Sequence, residues 1–176
     1  PITPATTGPL LMPTLIFIPS PLTPQTIWRE TGELVGLTGL DVRTPSLSDA
    51  FRDGPPYYHR CAALIAAIAR GCVNPILVAH SAAGGLVPAI AAQISMPSMA
   101  IFVDAILPHP GEDWLSTAPP GRGDLLRAGA LDGMAPPWHE WFDPGVLARL
   151  LPDQHMRAAF MRDTPRERSG VCGPTT

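Results

Sequence analysis

The chain has 176 residues, a net charge of −3, and 45% hydrophobic residues against 15% charged ones. This length fits about one domain with a core of its own, and the low charge content excludes a disordered chain. The twelve basic residues are all Arg and form no basic block, so we expect no nucleic-acid partner.

The sequence also bears on location and cofactors. No apolar run reaches the roughly 18 residues of a membrane span, and the N-terminus lacks the charged region of a signal peptide. We therefore expect a cytoplasmic protein without a membrane partner. Cys61, Cys72 and Cys172 have no metal-ligand spacing, so we expect no metal site. We expect Cys61 and Cys72 to be reduced thiols, and we expect no cofactor.

Apolar runs and helical patterns alternate along the first part of the chain. In order, we predict a strand over 14–18, a helix over 26–37, a short strand over 40–44, a helix over 57–70, and strands over 75–78 and 99–107. This alternation predicts an α/β fold, a parallel sheet with helices on both faces and right-handed crossovers.

The stretch 74–92, NPILVAHSAAGGLVPAIAA, is the most informative part of the sequence. A β-branched run leads into small residues around Ser81, and a helical pattern begins near residue 86. A strand, a tight turn with a central serine and a helix form the context of a nucleophile elbow. The small neighbours are needed because the serine of such a turn has a strained backbone and an exposed hydroxyl.

The composition changes after residue 108. Proline-rich loops surround two short helices, predicted over 145–151 and 152–161, and no further apolar strand is predicted. We therefore divide the chain into a core over 1–108, a helical cap segment over 109–163 and a flexible tail over 164–176.

Three stretches resemble the α/β-hydrolase superfamily, in particular small esterase-like members of actinobacterial type. They are LIFIPSP followed by Trp28, AHSAAG around Ser81, and FVDAILPHPG from residue 102. The similarity extends over about residues 14–163. It implies that Ser81 is the nucleophile, that the Ala82 N–H is an oxyanion donor, and that a helical cap follows the sixth-strand position.

The chain departs from the family pattern around the serine. The usual glycines two residues before and after the serine are Ala79 and Ala83. In the family, the residue at Pro21 lends a second N–H to the oxyanion hole, but proline has none. The second donor would then be the Leu22 N–H, a shifted loop or the Ser20 hydroxyl.

The general base is open. In the family, two strands after the cap bring the catalytic acid and histidine, and neither is recognised here, so His109 and Asp104 are the candidates for base and acid. His80 should point away from the serine and pack. We expect a substrate pocket lined by Pro21, His80, Trp114, Trp138, His139 and Trp141.

Three hypotheses remain. The first is a serine hydrolase or acyl-transfer enzyme for a small apolar ester, lactone or thioester. The second is a non-catalytic or non-hydrolytic member, such as a binding, accessory or cyclase-like protein, whose partner is a small-molecule ligand. The third is a shortened form completed by a partner, because the strand over 99–107 has a bare edge that a homodimer would cover.

Overall fold

The computed structural model describes residues 12–52, 56–94, 97, 99–109, 111–112, 120–121, 124, 128, 134–165 and 167–168. Its main sheet has four parallel strands in the order β2-β1-β3-β4. They are β1 (Thr14–Ile18), β2 (Asp41–Arg43), β3 (Ile76–His80) and β4 (Met99–Val103). The predicted parallel sheet is confirmed.

Helical segments connect these strands. They are α1 (Arg29–Gly36), α2 (Tyr57–Arg70), α3 (Val87–Ala91), and the 3-10 helices Gln25–Trp28, Ser48–Phe51 and Ser81–Leu86. The predicted bounds of β1 and α2 are confirmed. The helix predicted over 26–37 is instead a 3-10 turn followed by α1, and the helix after the elbow begins as 3-10 at Ser81 instead of residue 86.

The sheet buries two different apolar faces, because successive side chains of a strand point to opposite sides. Ile16 and Leu77 face α2 and α3 within one fully buried cluster. Phe17 and Val78 face the other way, onto Trp28. Helices thus cover both faces, as the alternation of the sequence predicted.

β4 is shorter than predicted. The apolar run continues to residue 107, but the strand ends at Val103. Asp104, the next residue, has a φ of +44°, which is outside the extended region of the backbone. The strand predicted over 99–107 is therefore wrong after residue 103. The backbone turn at Asp104 ends the strand pairing, and no change in hydrophobicity marks this turn in the sequence.

The later part of the chain contains α4 (Pro144–Leu150) and α5 (Gln154–Asp163), capped by Asp143 and Asp153. It also contains a short antiparallel pair, β5 (Met134–Ala135) with β6 (Glu167–Arg168). The expectation of no further strand after residue 108 was therefore wrong for these residues. A two-residue pair needs backbone hydrogen bonds but no apolar run, so hydropathy does not reveal it.

Two further expectations concern helices and thiols. Across the described ranges, no helix is both long and apolar enough to cross a membrane. Cys61 is buried and Cys72 is half-buried, and neither is in a disulfide within the described residues. Cys172 lies outside the described residues.

Candidate active site

Ser81 lies at the junction of β3 and the following 3-10 helix, with a φ of +53°. A positive φ is uncommon outside glycine, and Asn and Asp account for much of what occurs. A serine there is held against an unfavourable backbone energy of about 1–3 kcal/mol. The residue is half-buried. This is the strained turn that the sequence predicts for a nucleophile elbow.

The elbow is held by the chain that follows β4. The Ile106 N–H donates to the Ser81 carbonyl oxygen over 3.0 Å. Gly84 permits this approach, because a Cβ there would lie 2.1 Å from the Ile106 carbonyl oxygen. On the other side of the elbow, the Tyr58 hydroxyl donates to the Gly85 carbonyl oxygen over 3.1 Å.

The role of Gly84 was not predicted from the sequence. The pair Gly84-Gly85 in a segment of small residues was the available signal, since a glycine often marks a close approach of two backbones. Only the structure shows which glycine is needed, because a Cβ on Gly85 would meet nothing within 4 Å.

Asp104 lies at the same edge of the sheet as Ser81. His80 and Val103 are register partners at the ends of β3 and β4, and Ser81 and Asp104 directly follow them. Both following residues have a positive φ. The carboxyl ends of parallel strands thus bring together the predicted nucleophile and the predicted acid, and Asp104 is exposed.

The His80 side chain packs against a neighbouring aromatic ring, as its position beside Ser81 predicts. Its ring meets Trp28 edge-on, with centroids 5.7 Å apart, and Trp28 in turn packs on Phe17 at 4.8 Å. Its Nδ1 atom is buried without a hydrogen-bond partner in the structure. Burial lowers the pKa of His80 below its ordinary value of 6.5, and the Asp104 carboxylate partly opposes this by raising it.

We expect Asp104→Asn to lower the pKa of His80 further, because it removes the charge that favours the imidazolium. A folded-state pKa below the unfolded value means that His80 contributes stability above pH 6.5, which is lost as the pH falls through the folded-state pKa. An NMR titration of the His80 Cε1 proton measures the shift. The control is Asp163→Asn on α5, and an unchanged or raised His80 pKa in Asp104→Asn would contradict the expectation.

The loop after β1 forms a tight buried turn at the predicted oxyanion position. Ser20 is 1% exposed, and its Oγ accepts from the Leu22 N–H over 3.2 Å. The Ser20 carbonyl oxygen accepts from the Thr23 N–H over 3.0 Å. Pro21 is buried and has no N–H. The Leu22 N–H would therefore have to break its hydrogen bond to Ser20 Oγ in order to donate to an oxyanion.

Part of the predicted pocket lies in the cap segment. Trp138 packs on Phe142 and Phe160, with centroids 4.8 and 5.8 Å apart, and the Trp141 indole N–H donates to the Pro136 carbonyl oxygen over 2.7 Å. α5, which carries Phe160, packs against the 3-10 helix Gln25–Trp28. The cap therefore adjoins the loop after β1.

The remaining site predictions have different outcomes. The His139 Nε2 lies 3.9 Å from Glu140 Oε1, and its Nδ1 is buried without a partner. His109 is exposed, and its carbonyl oxygen accepts from the Glu112 N–H over 3.2 Å. Trp114 lies outside the described residues. No His, Cys, Asp and Glu within the described ranges form a group that could hold a metal.

Comparisons with known proteins identify the fold. No protein-family model and no curated protein sequence matches the chain. Solved structures do match, over more than nine-tenths of its length. The chain has the α/β-hydrolase fold.

Three similar structures illustrate the match. An extracellular α/β-hydrolase from a Paenibacillus species has a TM-score of 0.68 at 17% identity, covering 92% of this chain and 69% of its own. Tomato methylketone synthase I gives 0.63 at 15%, covering 94% and 75%. A pyrethroid hydrolase from Sphingobium faniae gives 0.57 at 21%, covering 92% and 70%. At these identities the likeness establishes the fold alone.

Proposed function

We propose that the protein is a serine hydrolase or acyl-transfer enzyme that acts on a small apolar ester, lactone or thioester through Ser81. The observation that carries the proposal is the φ of +53° at Ser81, directly after β3. A fold has little reason to retain this strain at a serine unless the hydroxyl must project from the turn. The hydrolases among the similar structures support the reaction class.

In the proposed reaction, the Ser81 hydroxyl attacks the carbonyl carbon of the substrate while a base takes its proton. The C–O or C–S bond to the leaving group then breaks, the leaving group takes that proton, and an acyl-enzyme remains. Water releases it as an acid in hydrolysis, and another nucleophile takes the acyl group in transfer. The N–H of Ala82 donates to the oxyanion that forms during attack, and the Leu22 N–H is the proposed second donor.

His109 is the proposed base and Asp104 the proposed acid. Both belong to the chain that follows β4, and this chain is tied to the elbow by the hydrogen bond from Ile106 to Ser81. A base must come within about 3 Å of the serine oxygen in the substrate complex, although free enzymes often have longer distances. The exposure of His109 leaves its ring room to reorient.

We propose an apolar substrate because aromatic side chains lie on the segments next to the elbow: Trp28 packs on His80, and Trp138 packs on Phe160 of α5, which contacts the 3-10 helix that ends at Trp28. Trp28 and Phe17 form one cluster beneath His80, and the cap contributes Trp138 and Trp141. Pockets lined mostly by aromatic side chains with a few polar groups favour small apolar ligands.

A fluorophosphonate probe tests the proposal. The wild-type protein should gain one phosphonyl group per chain, measured by intact mass, because the probe reacts with an activated serine hydroxyl. Ser81→Ala should gain none. Ser48→Ala is the matched control, since Ser48 also begins a 3-10 helix but is exposed and far from the elbow in sequence; its labelling should equal that of the wild type.

The proposal fails if the folded wild-type protein stays unlabelled under conditions that label an ordinary esterase, or if labelling persists in Ser81→Ala. Labelling together with turnover of a p-nitrophenyl butyrate substrate would support hydrolysis.

The alternative is a non-hydrolytic or binding protein with the same pocket. It is favoured by the turn after β1, where Pro21 lacks an N–H and the Leu22 N–H already donates to Ser20. Losing one oxyanion donor costs about 100- to 1000-fold in rate. The similar structures include a protein named methylketone synthase, complexed with β-ketoheptanoate. This alternative would be supported if the protein bound a medium-chain fatty acid but did not react with the fluorophosphonate probe.

A further inference from the structure

We infer that Tyr58 is a positioning residue for the elbow and acts through the carbonyl oxygen of Gly85. Tyr58 belongs to α2, which packs against both α3 and the 3-10 helix Ser81–Leu86. Its hydroxyl donates to the Gly85 carbonyl oxygen over 3.1 Å, although the two residues lie 27 positions apart in the sequence. The inference rests on the proposed function, because this 3-10 helix contains the proposed nucleophile and the proposed oxyanion donor.

The Gly85 carbonyl lies where two kinds of helix meet. In a 3-10 helix it would accept from the N–H three residues later, but that residue is Pro88, which has no N–H. In α3, the first carbonyl that accepts from within the helix is that of the N-cap residue, Leu86. Neither of these two helices therefore supplies a donor to the Gly85 carbonyl, and the Tyr58 hydroxyl takes that place.

The 3-10 helix after β3 needs support from outside. Runs longer than three or four residues are uncommon, because the hydrogen-bond geometry of a 3-10 helix is poor, and this one has six residues. Near its start, the Ile106 N–H donates to the Ser81 carbonyl oxygen. Near its end, the Tyr58 hydroxyl donates to Gly85. Because both ends are held, the direction of the intervening Ala82 N–H is fixed.

The direction of the Ala82 N–H matters for the reaction. A donor to an oxyanion is effective only when it points at the position where the charge develops, and a misplacement of about 1 Å can cost about 100-fold in rate. Burial raises the pKa of Tyr58 above its ordinary value of 10.0, so the hydroxyl keeps its proton near neutral pH. Tyr58 should therefore affect the transition state, in which the oxyanion forms, more than the binding of the substrate.

Tyr58→Phe tests the inference, because it removes the hydroxyl and keeps the ring. With p-nitrophenyl butyrate, we expect kcat to fall about 10-fold and KM to stay within about 2-fold of the wild-type value. The rate constant for labelling by the fluorophosphonate probe should fall by a similar factor. Tyr57→Phe is the matched control, since it makes the same change one residue earlier in α2, where the ring packs on Phe51. It should leave kcat unchanged.

Pro88→Ala provides a rescue that a merely structural role of Tyr58 would not show. It restores an N–H three residues after Gly85, at an exposed position. Alone, it should change kcat by less than about 2-fold. In the Tyr58→Phe background it should raise kcat by about 3-fold or more, because the restored N–H can donate to the carbonyl that lost its partner.

Several outcomes would overturn the inference. They are a folded Tyr58→Phe with the kcat of the wild type, a change in KM alone, or a failure of Pro88→Ala to restore kcat. Circular dichroism shows whether each variant is folded. If Tyr58→Phe is unfolded, the double variant decides: a kcat within about 3-fold of the wild type supports the inference, and a lower kcat or an unfolded double variant overturns it.

The same measurements separate this inference from the proposed function. A wild type that shows neither labelling nor turnover would refute both. A wild type that is labelled and active, together with a Tyr58→Phe variant of unchanged kcat, would refute the role of Tyr58 alone.

Discussion

Gly84→Ala is expected to lower the free energy of unfolding by about 3 kcal/mol or more. The added Cβ would lie 2.1 Å from the Ile106 carbonyl oxygen and 3.1 Å from the carbon of the same carbonyl. Both neighbours are backbone atoms, so no side-chain rotation relieves the overlap. The chain after β4 must move away, and the hydrogen bond from Ile106 to the Ser81 carbonyl oxygen is lost with it.

Gly85→Ala is the matched control for this prediction. It adds the same methyl group one residue further along the same 3-10 helix, where nothing lies within 4 Å. Its hydrogen bond from Tyr58 uses the carbonyl oxygen, which the substitution keeps. We expect an unchanged or slightly raised stability, by less than about 1 kcal/mol. Urea denaturation of both variants measures the difference, and equal stabilities would show that Gly84 is not a point of close approach.

The second large effect is expected at Ser81 itself. Ser81→Gly should reduce ester hydrolysis by at least about 1000-fold, because no hydroxyl remains to form the acyl-enzyme. The same variant should be about 1 kcal/mol more stable than Ser81→Ala, since glycine adopts a φ of +53° without a Cβ penalty. The same substitution would then lower activity relative to the wild type and raise stability relative to Ser81→Ala.

The sign of that stability difference should reverse at Ser48. This residue also begins a 3-10 helix, Ser48–Phe51, and it is not among the residues with a positive φ. There, Ser48→Gly should be less stable than Ser48→Ala, because glycine loses more backbone entropy on folding. Thermal unfolding of the four variants measures both differences. The same sign at both positions would show that Ser81 is not strained.

Local pattern was sufficient for β1, α2 and the fold class. The apolar run at 14–18 and the helical pattern at 57–70 predicted β1 and α2 with their bounds, because burial on two faces or on one helical face leaves a periodic trace in the sequence. The alternation of such elements predicted the parallel sheet. The assignments of Ser81, Asp104 and His109 to chemical roles stay predictions.

Long-range contacts were decided by the tertiary structure. Two contacts join residues that are distant in sequence: Ile106 approaches Gly84, and His80 packs on Trp28. The end of β4 at Val103 depends on a backbone turn at the next residue. Hydropathy describes each segment separately, so it does not predict which distant segment a residue will contact.

Local sequence patterns establish that a serine lies among small residues between a strand and a helix. The tertiary structure alone decided that this serine has a positive φ and that its carbonyl oxygen is held by Ile106. It also decided that Asp104 follows the neighbouring strand at the same edge. The physical reason is that side-chain size and periodicity are properties of a local segment, whereas backbone strain persists only where packing from other segments enforces it.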